Sequence, residues 1–141
     1  MKERYIFCPA NMKEHCRFIY LDPDNFSDGI YAAIDCYIFE HVYVGSDLVL
    51  IVDECGKIKD PPKPINLRAS MFYSGTRFGD PIVGDVIFAF MGIRDGEPDI
   101  VPIPDVYVDL LTYRIGDIDE PSEGTDQDGT AAACPGAATS I

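Results

Sequence analysis

Leu48-Val49-Leu50-Ile51-Val52 is apolar at every position. A run that short and uniform fits a β-strand covered on both faces. Ahead of it, Tyr37-Ile38-Phe39-Glu40-His41-Val42-Tyr43-Val44 is rich in aromatic and β-branched residues with polar interruptions, and Gly45-Ser46-Asp47 supplies a turn. The two segments predict a hairpin whose second strand is central in its sheet.

The remaining punctuation fills in around that hairpin. Tyr5 to Cys8 reads as a strand ended by Pro9, and Cys16 to Leu21 as another stopped by Asp22-Pro23-Asp24-Asn25. Phe26, Ile30, Tyr31 and Ile34 recur at helical spacing, with Asn25 or Ser27 available as an N-cap, so a short helix is expected over Phe26 to Ile34. Gly29 weakens it by roughly 1 kcal/mol relative to alanine. Residues 57–69 carry Pro61, Pro62 and Pro64 and read as an extended loop. Gly79-Asp80-Pro81 turns into a strand over Ile82 to Phe90, followed by a tight turn at Asp95-Gly96. Asp105 to Tyr113 fits a closing helix with Val106, Leu110 and Tyr113 on one face, a strand being the alternative.

These elements predict an α+β fold: a small mixed or antiparallel sheet with one or two short helices. The 141-residue length suits one domain, placed at 1–118. Residues 119–141 combine acids with Gly, Ser, Thr, Pro and alanines, and too little apolar area to offset the entropy of ordering them, so a disordered acidic tail is expected there.

Carboxylates outnumber Lys and Arg by 24 to 11, a net charge of −13. Direct nucleic-acid binding needs clustered cations to neutralise phosphate, and this balance argues against it. From Asp117 onward there are six acids and no base, so the rest of the chain keeps 18 acids against 11 bases. No apolar run approaches the roughly 18 residues of a membrane span, and no signal-peptide core follows Met1. Cys8, Cys16, Cys36, Cys55 and Cys134 are odd in number and irregular in spacing, a poor disulfide framework. A cytoplasmic protein with reduced, buried thiols is expected.

Catalytic signatures are weak. His15 and His41 are the only imidazoles, and neither belongs to a nucleophile motif. His41, between Glu40 and Val42, reads as a surface or interface histidine. His15-Cys16 are adjacent, which puts strand side chains on opposite faces and does not suit one metal ion. Neighbouring acids such as Asp53-Glu54 arise readily where 24 acids share the chain and turns favour aspartate. No catalytic residue, metal site or cofactor is assigned.

One segment stands apart. Gly56 to Phe78 holds Lys57, Lys59, Lys63, Arg68 and Arg77 against Asp60 alone, a local balance of +4. Asn66, Ser70, Tyr73 and Thr76 lie in the same stretch. Guanidinium forks, amides and aromatic rings together suit an anionic, ring-bearing ligand. The candidate ligand-binding residues are therefore Lys57, Lys59, Asn66, Arg68, Tyr73 and Arg77, with Lys57, Lys59 and Arg68 on phosphate, Asn66 orienting the ligand and Tyr73 offering a ring. The plainer reading is a basic loop that neutralises an acidic body.

The succession from Asp47 through Asp53-Glu54-Cys55-Gly56-Lys57, the prolines, Asn66 and Arg68, then Gly79-Asp80-Pro81-Ile82-Val83-Gly84 resembles a small bacterial and phage domain family of unknown function. The likeness covers roughly Tyr37 to Phe90. It implies no activity; it implies a phage or mobile-element setting, where small proteins bind a partner or sequester a signal to counter host defence. Two function classes follow. The first is a non-enzymatic binding protein for an anionic, nucleotide-like small molecule. The second is an acidic protein-interaction module or nucleic-acid mimic acting on a host protein. A small phosphoesterase using a bound cation ranks last. Oligomeric state is open at this level.

Overall fold

A computed structural model describes residues 1–45, 47–72 and 80–121. The strands are β1 (Glu3–Cys8), β2 (Cys16–Leu21), β3 (Phe39–Tyr43), β4 (Leu48–Asp53), β5 (Val86–Arg94), β6 (Glu97–Val101) and β7 (Ile118–Asp119). The helices are α1 (Phe26–Ile34), α2 (Leu67–Ser70) and α3 (Asp105–Ile115), with 3-10 turns at Pro23–Asn25 and Gly56–Ile58. One sheet runs β3-β4-β5-β1-β2-β7, and β6 pairs with the far half of β5. Neighbours are antiparallel except β2 and β7, so the sheet is mixed and the class is α+β.

The five apolar residues of β4 are all buried because the sheet is covered on both faces. Leu48, Leu50 and Val52 join Ile6, Val86 and Phe88 on one face, closed by Ala69 of α2 and by Val108, Leu111 and Ile115 of α3. Val49 and Ile51 join Tyr5, Phe7, Ile87 and Ala89 on the other, closed by Ile30 and Ile34 of α1. Each large apolar side chain of this strand contributes about 1.5–3 kcal/mol by being taken from water. The expected hairpin and the helix over Phe26 to Ile34 both form, and β4 lies between β3 and β5. Gly29 has a packing reason within α1: a Cβ there would stand 2.9 Å from Leu21 Cδ2, so a larger residue would require the Leu21 side chain to shift.

Three local expectations are corrected. The strand expected over Ile82 to Phe90 begins at Val86 and runs to Arg94. Gly84 at φ +82° bends the chain before it, and a Cβ there would meet Lys63 Cδ at 2.8 Å. Beyond the Asp95-Gly96 turn the chain returns as β6, which was not among the expected elements; Pro98 is tolerated in it because β6 pairs only with β5 among the described residues. Inside the loop expected at 57–69, Leu67–Ser70 makes one helical turn capped by Asn66. In α3 the helix forms, but Val106, Leu110 and Tyr113 are its exposed stripe, and Val108, Leu111 and Ile115 face the sheet. Both stripes have helical spacing, and only the sheet's position chooses between them.

β7 straddles the expected 118/119 boundary. Asp119 pairs with Arg17 across the β2 ladder and accepts from His15 Nδ1 at 3.1 Å. Residues 122–141, where most of the expected tail lies, are outside the described residues.

Cys8, Cys16 and Cys36 are buried, Cys55 is half-buried, and all four are free thiols. Burial pushes the Cys36 thiol up; for Cys8, a hydrogen bond with Cys16 does so together with burial. Among these four, native-state alkylation with iodoacetamide followed by peptide mapping should therefore modify Cys55 first. Cys8, Cys16 and Cys36 should react more slowly by on the order of 100-fold or more, because they require opening of the core. Equal rates for Cys8 and Cys55 would contradict this packing.

Candidate functional site

The basic segment is held where it is by acids and carbonyls of the same chain. Asp53 ends β4 with its side chain 1% exposed. Its Oδ1 accepts from the Cys55 N–H at 2.9 Å, and its Oδ2 stands 2.7 Å from Lys59 Nζ and 3.0 Å from Lys63 Nζ. Burial pushes the Asp53 carboxyl up, but the two lysines and the Cys55 amide outweigh it, and the group sits below the ordinary aspartate range. The same lysines reach the C-terminus of α1: Lys63 donates to the carbonyls of Ile34 and Asp35, each at 2.7 Å, and Lys59 to that of Asp35 at 3.2 Å. A helix leaves its last carbonyls unpaired and carries partial negative charge there, so cations at this end are favoured.

The other sequence-chosen residues go elsewhere. Lys57 pairs with Asp80, an exposed contact. Asn66 is fully buried. Its Nδ2 donates to the carbonyls of Cys8 at 3.0 Å and Gly84 at 2.9 Å, and its Oδ1 accepts from the Ala69 N–H at 3.0 Å. Arg68 donates through Nη2 to the carbonyls of Pro9 at 2.8 Å and Asn11 at 3.0 Å. Tyr73 and Arg77 lie outside the described residues. Lys59 and Lys63 thus converge on one buried carboxylate, whereas Lys57, Asn66 and Arg68 are separate, each bound to its own partner.

Two concavities flank β3, and its alternation of side chains decides what each contains. On one side a cavity of about 140 Å³ is lined by Glu40, Val42, Glu54, Lys57, Asp80 and Ile82. Glu40, Glu54 and Asp80 are exposed, so this hollow is acidic around a single lysine that already has Asp80 as partner. On the other side a groove of about 280 Å³ is lined by Phe26, Phe39, His41, Arg94, Asp99 and Ile100. Phe39 and His41 of its wall belong to a ladder of rings: Tyr31 to Phe39 at 5.6 Å, Phe39 to His41 at 5.8 Å and His41 to Tyr43 at 6.3 Å between centroids.

His41 Nε2 is buried in that wall with no hydrogen-bond partner among the described residues. Burial pushes the imidazole below its usual value and favours the neutral ring. Arg94 is not free to meet an anion: it grips Glu3 at 2.9 and 3.0 Å, Asp99 at 2.8 Å and the Ile100 carbonyl at 3.0 Å. The Arg94 fork in turn holds the Glu3 carboxyl below its ordinary range, against the opposing effect of burial.

Phe39, Glu40, Tyr43 and Asp53 were not among the sequence-chosen site residues, and His41 was read only as a surface or interface residue. The alternation of rings at 39, 41 and 43 with polar or small residues at 40 and 42 was visible, but it specifies a two-faced strand in general and not what lies against each face.

A comparison with curated proteins finds no match. Among solved structures the chain is similar to one in the crystal structure of small RNA methyltransferase HEN1, at 20% identity and a TM-score of 0.49 over 82% of this chain. This chain spans only 16% of the length of that one. A family model described as a domain of unknown function matches residues 8–114, most of the described fold, and the chain belongs to that family, DUF3846.

Proposed function

We propose that this is a non-enzymatic binding protein whose recognition surface is acidic and whose partner is a basic segment of another protein. One observation carries the reading: Lys57, Lys59, Lys63 and Arg68 are each engaged by acids or carbonyls of their own chain. The basic segment therefore neutralises internal groups, and exposed carboxylates such as Glu40, Glu54, Asp80 and Asp99 set the field that an approaching molecule meets. No helix among the described residues is long and apolar enough to cross a membrane. The cysteine pattern supports a cytoplasmic setting, and the family likeness drawn from the sequence supports a host protein as partner.

A second reading keeps the anionic, nucleotide-like ligand. It is favoured by the exposure of the Lys57–Asp80 pair, since exposed pairs contribute about 0–1 kcal/mol and exchange partners readily. It requires Lys59 to leave Asp53 or Arg68 to leave two carbonyls, each at a cost.

Titration separates the two. An oligolysine peptide should bind the full chain and weaken by about tenfold or more between roughly 50 and 300 mM salt, as screening shortens the reach of the acids. Nucleoside triphosphates should leave Tm unchanged. A rise in Tm with a nucleotide, lost in Lys57→Ala, would overturn the acidic reading in favour of the anionic one.

A further inference from the structure

β3 is the end strand of the sheet: β4 lies on one side of it, and no strand pairs with its other side among the described residues. The hydrogen-bond phase of that strand follows from its flanks. Glu54 N–H donates to the Ile38 carbonyl at 3.0 Å and Val44 N–H to the Leu48 carbonyl at 3.2 Å. With Phe39 opposite Asp53 and Tyr43 opposite Val49, the even positions 38, 40, 42 and 44 are the ones bonded to β4. The backbone N–H and C=O groups of Phe39, His41 and Tyr43 are therefore directed outward, away from the sheet. The same three residues carry the ring ladder on one face, and Glu40 presents its carboxylate on the other.

We infer that β3 is a docking edge for an extended peptide segment of a partner protein, added as a further strand, whose side chains alternate between cationic and apolar. The inference rests on the acidic-surface reading above and names the mode of recognition. An incoming strand meets backbone donors and acceptors at Phe39, His41 and Tyr43 that have no strand partner among the described residues, the usual source of affinity in strand addition. Its alternate side chains then fall on opposite faces. Those on the face of Glu40 and Val42 enter the hollow bounded by Glu54 and Asp80, which a Lys or Arg head complements. Those on the face of Phe39 and His41 lie on rings beside the larger groove, which suit an apolar side chain.

Charge selects among the occupants. A second copy of this chain pairing edge to edge would bring the acidic hollows of Glu40, Glu54 and Asp80 in both molecules to one seam, between molecules of net charge −13 each. The chain's own residues from Asp117 onward include six acids and no base, and meet the same repulsion. A basic, alternating segment meets none. β3 contains no lysine or proline, which commonly guard exposed strands, and its guard is Glu40, which repels acidic edges and admits basic ones.

The test uses the full chain and a short fluorescent peptide alternating Lys and Val, with a block-sequence peptide of the same composition as control. The alternating peptide should bind more tightly, by about tenfold or more. Methylating backbone nitrogens on every second residue of the peptide, in each of the two phases, should abolish binding in one phase and spare it in the other. Glu40→Gln with Glu54→Gln should weaken the alternating peptide without lowering Tm. Equal binding by the alternating and block peptides, with neither methylation phase mattering, overturns strand addition while leaving the acidic-surface reading in place. Binding of neither peptide overturns both. A dimer in sedimentation that the peptide dissociates would assign the edge to a second copy and overturn the peptide assignment.

Discussion

Replacing Asn66 with alanine lowers the free energy of unfolding by about 4 kcal/mol, read as a reduced urea midpoint in the ligand-free protein. The side chain is fully buried and joins three separate parts of the chain. It caps α2 through the Ala69 N–H, closes the end of β1 through the Cys8 carbonyl, and fixes the turn before β5 through the Gly84 carbonyl. Loss of an N-cap alone costs about 1 kcal/mol. Each buried carbonyl left without a donor adds about 1–3 kcal/mol, and because the groups share one neighbourhood the terms do not simply sum. Asn66→Asp separates the contributions: it retains the cap acceptor, loses both donors and sets a carboxylate against two carbonyl oxygens, so it should be no more stable than the alanine variant at neutral pH. A fall of under about 0.5 kcal/mol, the scale of a surface substitution, would mean that Asn66 is free for the ligand role its sequence position suggested.

Asp53→Ala is the second large effect, expected at about 3 kcal/mol at neutral pH. Removing the carboxylate leaves Lys59 and Lys63, their side chains 29% and 14% exposed, close together with only the α1 carbonyls as partners. Asp53→Asn keeps the shape and the bond from the Cys55 N–H but not the charge, and should lie between wild type and alanine.

The pH dependence has a definite sign. The folded-state carboxyl is held below its unfolded value, so the unfolded chain binds the proton first. The stabilisation from this group is complete above the unfolded value, about 4, and is lost as pH falls through the lower folded value. The stability gap between wild type and Asp53→Asn should therefore be widest near neutrality and shrink in acid below about pH 4. A gap that stayed constant to pH 2.5 would show that the pair contributes nothing through charge.

These two residues mark where local reading stopped. Asn66 attracted attention as a polar residue in a cationic, proline-rich stretch, and Asp53 was passed over as one turn acid among many. Their roles reverse once the partners are known: Asn66 is bonded into the interior, and Asp53 is the anion for which Lys59 and Lys63 are placed. Neither assignment can be made from spacing, because the Asn66 partners Cys8 and Gly84 lie far from it on either side in the chain. The same holds for α3, where two stripes at helical spacing competed and the one containing Tyr113 was left facing outward.

What was legible along the chain was what a segment decides with its own neighbours. The hairpin around Gly45, the helix from Phe26 to Ile34, the second strand from Cys16 to Leu21 and the surplus of carboxylates all follow from side-chain period, turn chemistry and counting. Only the tertiary structure decided that β3 ends the sheet, that the lysines of the basic segment meet Asp53 and the end of α1, and that an acidic hollow and an aromatic groove flank one strand. Backbone dihedrals and alternation are settled over a few residues. Ion pairing and strand order depend on which distant segments are brought within a few ångströms, and that is set by how the whole core packs.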